Sequence, residues 1–237
     1  MAAKASSQAR EEKKGELSIN EQISGFIQKN RKVFLFGFAA LIIILTGFIV
    51  TSIVRGNILS NALSQVDGFN RRYEDLQAYI GSSEPEALVK QIELIVLIDE
   101  IKKFTEKNSG IAAARAYCIN AEIYAGQQMW ADAEETWSKA AKEASKTYLA
   151  PLSLFNAAVA AEEQGNIDSA IAHYNSALDH GDTFSSAARA QFSIGRLEES
   201  RNNKDAALEA YRTLLNRWPN DPIWPNLAQN RILIMSN

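Results

Sequence analysis

Ala121, Ala158 and Gly195 stand 37 residues apart, and the residues around them repeat in phase. One register holds Tyr117, Ala121, Tyr124, Ala133, Trp137 and Ala140, and the next holds Leu154, Ala158, Ala161, Ala170, Tyr174 and Ala177. A third holds Gln191, Gly195, Glu198, Ala207, Tyr211 and Leu214. Such a period constrains the fold more than any single motif. Each copy is one supersecondary unit too small to bury its own apolar face, so copies must stack. The copies read as helix pairs. Small residues at 121, 158 and 195 on the first helix, and at 133, 170 and 207 on the second, permit close approach. The aromatics Trp137, Tyr174 and Tyr211 fill the space between one hairpin and the next. Turn residues fall between the paired helices at Gly165-Asn166 and Asn202-Asn203, with Gln128-Met129 a weaker counterpart. Only 12 Gly and 5 Pro in 237 residues agree with helix throughout.

These offsets resemble the tetratricopeptide pattern, whose copies end on a proline as here at Pro219. The resemblance implies an all-α fold, an α-solenoid of stacked helix hairpins that binds other proteins. Three repeats are expected at about 114–147, 151–184 and 188–221, within 111–221. The period exceeds the usual 34 residues, so the connecting loops should be longer by about three. Pro219-Asn220-Asp221-Pro222 should end the last repeat, and 222–237 should form a capping helix through Ile223, Trp224, Leu227, Ile232 and Leu233.

Val33 to Val54 carries no charge. As a helix it would reach roughly 33 Å, enough to cross a bilayer core of about 30 Å. Its position and length do not suit a cleaved signal peptide. Five basic residues (Lys13, Lys14, Lys29, Arg31, Lys32) precede the stretch within 20 positions, and three (Arg55, Arg71, Arg72) follow it. That asymmetry predicts a cytoplasmic N-terminus and an exported C-terminal domain, which in a bacterium is periplasmic. Residues 1–32 form the cytoplasmic tail. Its first 16 are polar and expected to be disordered, and 17–32 read as a short amphipathic helix against the leaflet.

Residues 55–110 are expected to form a juxtamembrane helix pair. Leu59, Leu63, Val66, Phe69, Tyr73, Leu76 and Ile80 make one apolar stripe, on a helix continuous with the span. Ser83 and Glu86 form a capping box, with Pro85 in the first turn of the next helix. That helix carries Leu94 to Ile98, apolar on all faces, which implies either central burial or a contact with a partner or a second copy.

No catalytic or cofactor motif is present. His173 and His180 lack metal-ligand neighbours, and the single Cys118 reads as a buried apolar residue. The pairs Glu134/Glu135, Glu162/Glu163 and Glu198/Glu199 read as solvated helix faces. An exported part with 18 basic and 24 acidic residues is a poor match for nucleic acid.

A short helix, a basic knot and one anchor (EQISGFIQKNRKVFLFGFAALI), followed by divergent repeats, resemble the ancillary subunit family of the SecYEG translocon. The resemblance implies a single-pass inner-membrane protein with a periplasmic repeat domain, beside the translocon and a membrane-anchored chaperone of the prolyl-isomerase type. It leaves an alternative open, an oligomeric assembly factor of the envelope or division complex. By analogy with the repeat superfamily, the first helices line a partner-binding groove with Arg115, Cys118, Glu122, Leu152, Phe155, Val159, Glu162, Arg189, Phe192 and Arg196. Leu152, Phe155, Val159 and Phe192 would make its centre apolar.

Overall fold

The computed structural model describes residues 19–79, 87–181 and 184–236, with side chains from residue 23 and, after the break, from residue 88. The polar tail 1–16, Leu17, Ile80 and the expected capping box Ser83/Pro85/Glu86 lie outside the described residues. The described part is all helical: α1 (Ile19–Lys29), α2 (Arg31–Gln77), α3 (Ala87–Lys107), α4 (Gly110–Gly126) and α5 (Trp130–Glu143), then α6 (Leu149–Glu163), α7 (Ile167–Leu178), α8 (Ala187–Ser200), α9 (Lys204–Arg217) and α10 (Trp224–Ser236). The chain divides into two units, Met1–Ile58 and Leu59–Asn237.

In the first unit, α2 begins with the apolar run, and its large side chains from Val33 to Val54 are exposed. The helix is long and apolar enough to cross a membrane. The hydroxyls of Thr46 and Thr51 donate back to the Ile42 and Gly47 carbonyls at 2.9 Å, which satisfies them within the helix.

The second unit opens with a helix pair. Ala62, Val66, Tyr73 and Leu76 of α2 pack with Leu94, Leu97, Ile101 and Phe104 of α3, and with Ala112, Ala116, Ile119 and Ile123 of α4. Each later hairpin (α4/α5, α6/α7, α8/α9) buries the small residues read from the sequence. Ala121, Ala158, Ala133, Ala170 and Ala207 are fully buried, as are Tyr174 and Tyr211. Alanine at these crossings brings the helix backbones close, and the aromatic ring supplies the apolar volume that alanine lacks.

The turn between paired helices is one structure used three times. Gln128, Gly165 and Asn202, again 37 apart, all have positive φ, of 60°, 75° and 63°. The following N–H then reaches back to the helix in each case. Met129 N bonds Tyr124 O at 2.8 Å, Asn166 N bonds Ala161 O at 2.9 Å, and Asn203 N bonds Glu198 O at 2.9 Å. This is the Schellman closure, which demands a left-handed residue. Glycine and asparagine meet the demand cheaply; the Gln128 Cβ does not. Gln128→Gly should therefore stabilise the protein by about 0.5–1 kcal/mol, raising Tm by roughly 1–4 °C in detergent-solubilised full-length protein. An unchanged or lowered Tm would show that the left-handed turn costs Gln128 nothing.

Candidate partner-binding surface

The first helices of successive hairpins (α2, α4, α6, α8) and the cap α10 touch through a row of side chains that includes most of the expected groove residues. Arg115 donates to Asp67 at 2.8 Å. Cys118 Sγ lies 3.5 Å from Ser153 Oγ, and burial pushes its thiol up to about 11, which leaves it a poor nucleophile. Phe155 is buried, edge-on to Tyr174 at 5.3 Å, with the Arg189 guanidinium 5.0 Å from its ring centre. Phe192 is sandwiched between Tyr211 at 5.4 Å and Trp224 at 5.2 Å. Val159 packs half-buried against the α6–α9 core. Leu152 remains an exposed apolar side chain. Glu122 keeps access to water, yet its flanking walls desolvate the carboxyl enough to raise it. Within the set the structure joins Phe155 to Arg189 and Glu162 to Arg196, while Arg115 is held by Asp67 and Phe192 by Tyr211 and Trp224.

Two carboxylates expected to be solvated are tied into a ladder. Tyr174 Oη donates to Glu162 Oε1 at 2.6 Å, and Arg196 pairs with the same carboxylate. One repeat on, Tyr211 Oη donates to Glu199 Oε2 at 3.1 Å, and Arg231 Nε donates to it at 3.0 Å. In each case a buried tyrosine meets a glutamate on its own hairpin and an arginine of the next first helix. Burial, reinforced by the neighbouring carboxylate, raises the Tyr174 hydroxyl and pushes that of Tyr211 up to about 12. Glu198 is also buried, held by Arg201 Nη2 at 2.6 Å and by Asn203 Nδ2 at 2.9 Å. The ladder was open to sequence reading, because Glu162/Glu199 and Tyr174/Tyr211 obey the same 37-residue shift. In the first repeat Ala125 stands at the glutamate position and Trp137 at the tyrosine, and the Trp137 Nε1 is buried without a partner among the described residues.

Glu134 joins α5 to α7. It accepts from Gln164 Nε2 at 2.7 Å, from Ser169, and lies 2.9 Å from His173 Nε2. His173 therefore faces the neighbouring repeat. Burial alone would raise the Glu134 carboxyl, but the hydrogen bonds to Ser169, His173 and Gln164 outweigh it and hold the group below the ordinary value. A depressed carboxyl contributes stability that is present above about pH 4.3 and lost as pH falls through the folded value. The Tm gap between wild type and Glu134→Gln should then be widest near pH 6 and shrink toward about pH 3. A gap independent of pH in that range would contradict the network.

Among the described residues, α3 carries an exposed apolar stripe. The Leu94–Ile98 run splits between two environments: Leu94 and Leu97 are 2% and 0% exposed, while Ile95 and Val96 are 61% and 45% exposed. With Leu88, Val89 and Ile92 they form an open stripe. Beside it a cleft of 620 Å³ is lined by Ile95, Ile98, Lys102, Tyr124, Met129 and Asp132. Lys102 Nζ lies 5.8 Å from the Tyr124 ring centre on its floor. Among the described residues no group of three or more His, Cys, Asp and Glu could hold a metal ion.

Residues 120–183 and 179–222 match the tetratricopeptide repeat family. The chain is also similar to a protein of Treponema pallidum (strain Nichols) named "TPR repeat-containing protein", at 33% identity over 127 residues. That alignment covers 54% of this chain and 52% of the relative, so the chain spans about half the length of the relative it matches. Stacked hairpins from α4 to α9, in one register, give the described residues an all-α fold, and residues 120–222 of it match tetratricopeptide repeats.

Proposed function

We propose that this chain is a membrane-anchored protein-binding module, held in a bacterial inner membrane by the apolar part of α2. The N-terminus lies in the cytoplasm and the repeats in the periplasm, as the five-to-three excess of basic residues before the span supports. Its partners are proteins at the export channel, the SecYEG translocon or a periplasmic chaperone, in keeping with the resemblance of the anchor region. The observation that carries the binding role is the open α3 stripe beside its cleft. Five large apolar side chains on one helix of a repeat domain invite a partner helix with matching anchors. The row from Arg115 to Arg196 offers Leu152 and Glu122 as further contacts.

The α3 stripe also supports a second reading, in which it pairs two copies within an assembly complex. Membranes of the native host, solubilised gently, separate the two. Tagged wild type should retain specific protein partners that Ile92→Glu/Ile95→Glu loses, with Tm of the variant unchanged. Recovery of untagged copies of the chain alone would favour the structural reading. A partner set identical for wild type and variant would sink the role of α3.

A further inference from the structure

The first unit has a second feature besides its apolar run. Helix α1 ends at Lys29, and Asn30 turns the chain into α2 without losing the hydrogen-bond ladder: Asn30 N bonds Phe26 O at 3.1 Å and Phe34 N bonds Asn30 O at 3.0 Å. The Phe26 and Phe34 rings meet edge to face at 6.0 Å across this turn. Alongside lies a groove of 630 Å³ whose lining includes Ile27, Arg31, Phe34, Gly37, Phe38 and Leu41. Its wall at Gly37 is open, because a Cβ built there would meet nothing within 4 Å. Ile23, Phe26 and Ile27 continue the apolar surface along α1, all of them exposed.

Arg31 is the charged residue among those lining the groove, and the sequence around it is basic. Lys29, Arg31 and Lys32 cluster within four positions, and the sequence holds no acidic residue from Gln22 to Val66. Among the described residues none of the three cations forms an ion pair. An apolar trough lined by Arg31, with Lys29 and Lys32 next to it in the sequence, matches an amphiphile with an anionic head and a hydrocarbon tail.

We propose that the α1–α2 junction holds an anionic phospholipid, with its headgroup on Lys29, Arg31 and Lys32 and an acyl chain in the groove beside Gly37. This rests on the reading of α2 as a membrane span. The trough alone would accept any acyl chain, so selectivity comes from the cations, which attract an anionic headgroup at the interface. The lipid would fill the space beside α2 that Gly37 leaves open, and it would fix α1 at the interface by charge as well as by its apolar face.

Full-length protein in gentle detergent, supplied with equal amounts of phosphatidylglycerol and phosphatidylcholine of the same chains, provides the test by native mass spectrometry. Wild type should carry at least about a fivefold excess of phosphatidylglycerol adduct. Lys29→Gln/Arg31→Gln/Lys32→Gln should bring the ratio near one. Gly37→Leu should reduce both adducts while keeping their ratio, because it narrows the trough and leaves the charge alone. Equal adducts on wild type, or a ratio unchanged by the triple substitution, overturn the proposal. Alkaline extraction of the same protein from liposomes separates its failure from that of the anchor. Protein that stays in the membrane but shows no lipid preference refutes the lipid site only. Protein released by alkali refutes the span, and the lipid site with it.

Discussion

Gly195→Ala should lower the stability of this protein, although alanine is the better helix former. A Cβ at Gly195 would lie 2.5 Å from Tyr211 Cε1, 2.7 Å from Cδ1 and 2.9 Å from Cζ. The Tyr211 ring is held in its place by several contacts. It is fully buried, its hydroxyl is tied to Glu199 at 3.1 Å, and Phe192 packs on it at 5.4 Å. Overpacking of this kind costs about 1–3 kcal/mol, against roughly 1 kcal/mol gained in helix propensity. The clash outweighs that gain, with a net loss of up to about 2 kcal/mol and a Tm drop of up to roughly 8 °C. Gly195→Val should cost more. At the same register of the second repeat the preference reverses. Ala158 is fully buried, and Ala158→Gly should itself cost about 1 kcal/mol. Thermal melts of detergent-solubilised full-length protein, followed by circular dichroism, would read all three. A stabilised Gly195→Ala would show that the α8–α9 crossing has slack.

Glu162→Ala should be comparably damaging, for a polar reason. Tyr174 is 1% exposed and donates to Glu162 Oε1 at 2.6 Å, so loss of the carboxylate takes the charged acceptor from a buried hydroxyl and leaves it only its contact with Ser193. Such a group costs about 1–3 kcal/mol. The Arg196 pair adds little, since that guanidinium is half exposed and water replaces its partner. The prediction is sharpest as a double-mutant cycle. Glu162→Ala should cost about 2 kcal/mol in wild type and much less in Tyr174→Phe, a coupling within the range of about 0.5–3 kcal/mol seen for contacting groups. Strictly additive effects would mean that the tyrosine does not depend on that glutamate.

The small and aromatic positions were legible in the sequence because they recur at one spacing and answer to one packing need, close helix approach beside a ring. The turns were legible for the same reason, and the 37-residue shift extends even to Gln128, where the residue type gave a weak signal. Burial of Leu94 and Leu97 was implied by an apolar run, but the exposure of Ile95 and Val96 was not separable from it. A helix apolar on every face cannot reveal which side its neighbours cover. The carboxylates were read as solvated faces because their partners lie on other helices. Glu162 meets Tyr174 and Arg196, 12 and 34 residues away, and Glu134 meets His173 39 residues away. Phe155 and Phe192 were expected to floor a groove. Phe155 is buried beside Tyr174 and Phe184, while Phe192 is half-buried against Tyr211 and the cap residue Trp224 and lines a cleft with Arg196 and Arg231. Where the cap would press could not be read from its composition.

Site-specific photo-crosslinking in living cells tests the binding role of the repeat domain most directly. A photoreactive residue would replace Ile95 on the open α3 stripe, Leu152 on the row of first helices, or Lys142 on the exposed side of α5. Adducts with defined protein partners should form from Ile95, more weakly from Leu152, and not above background from Lys142. Adducts equal at all three positions, or absent from Ile95, would contradict the claim that this repeat domain binds a protein through α3.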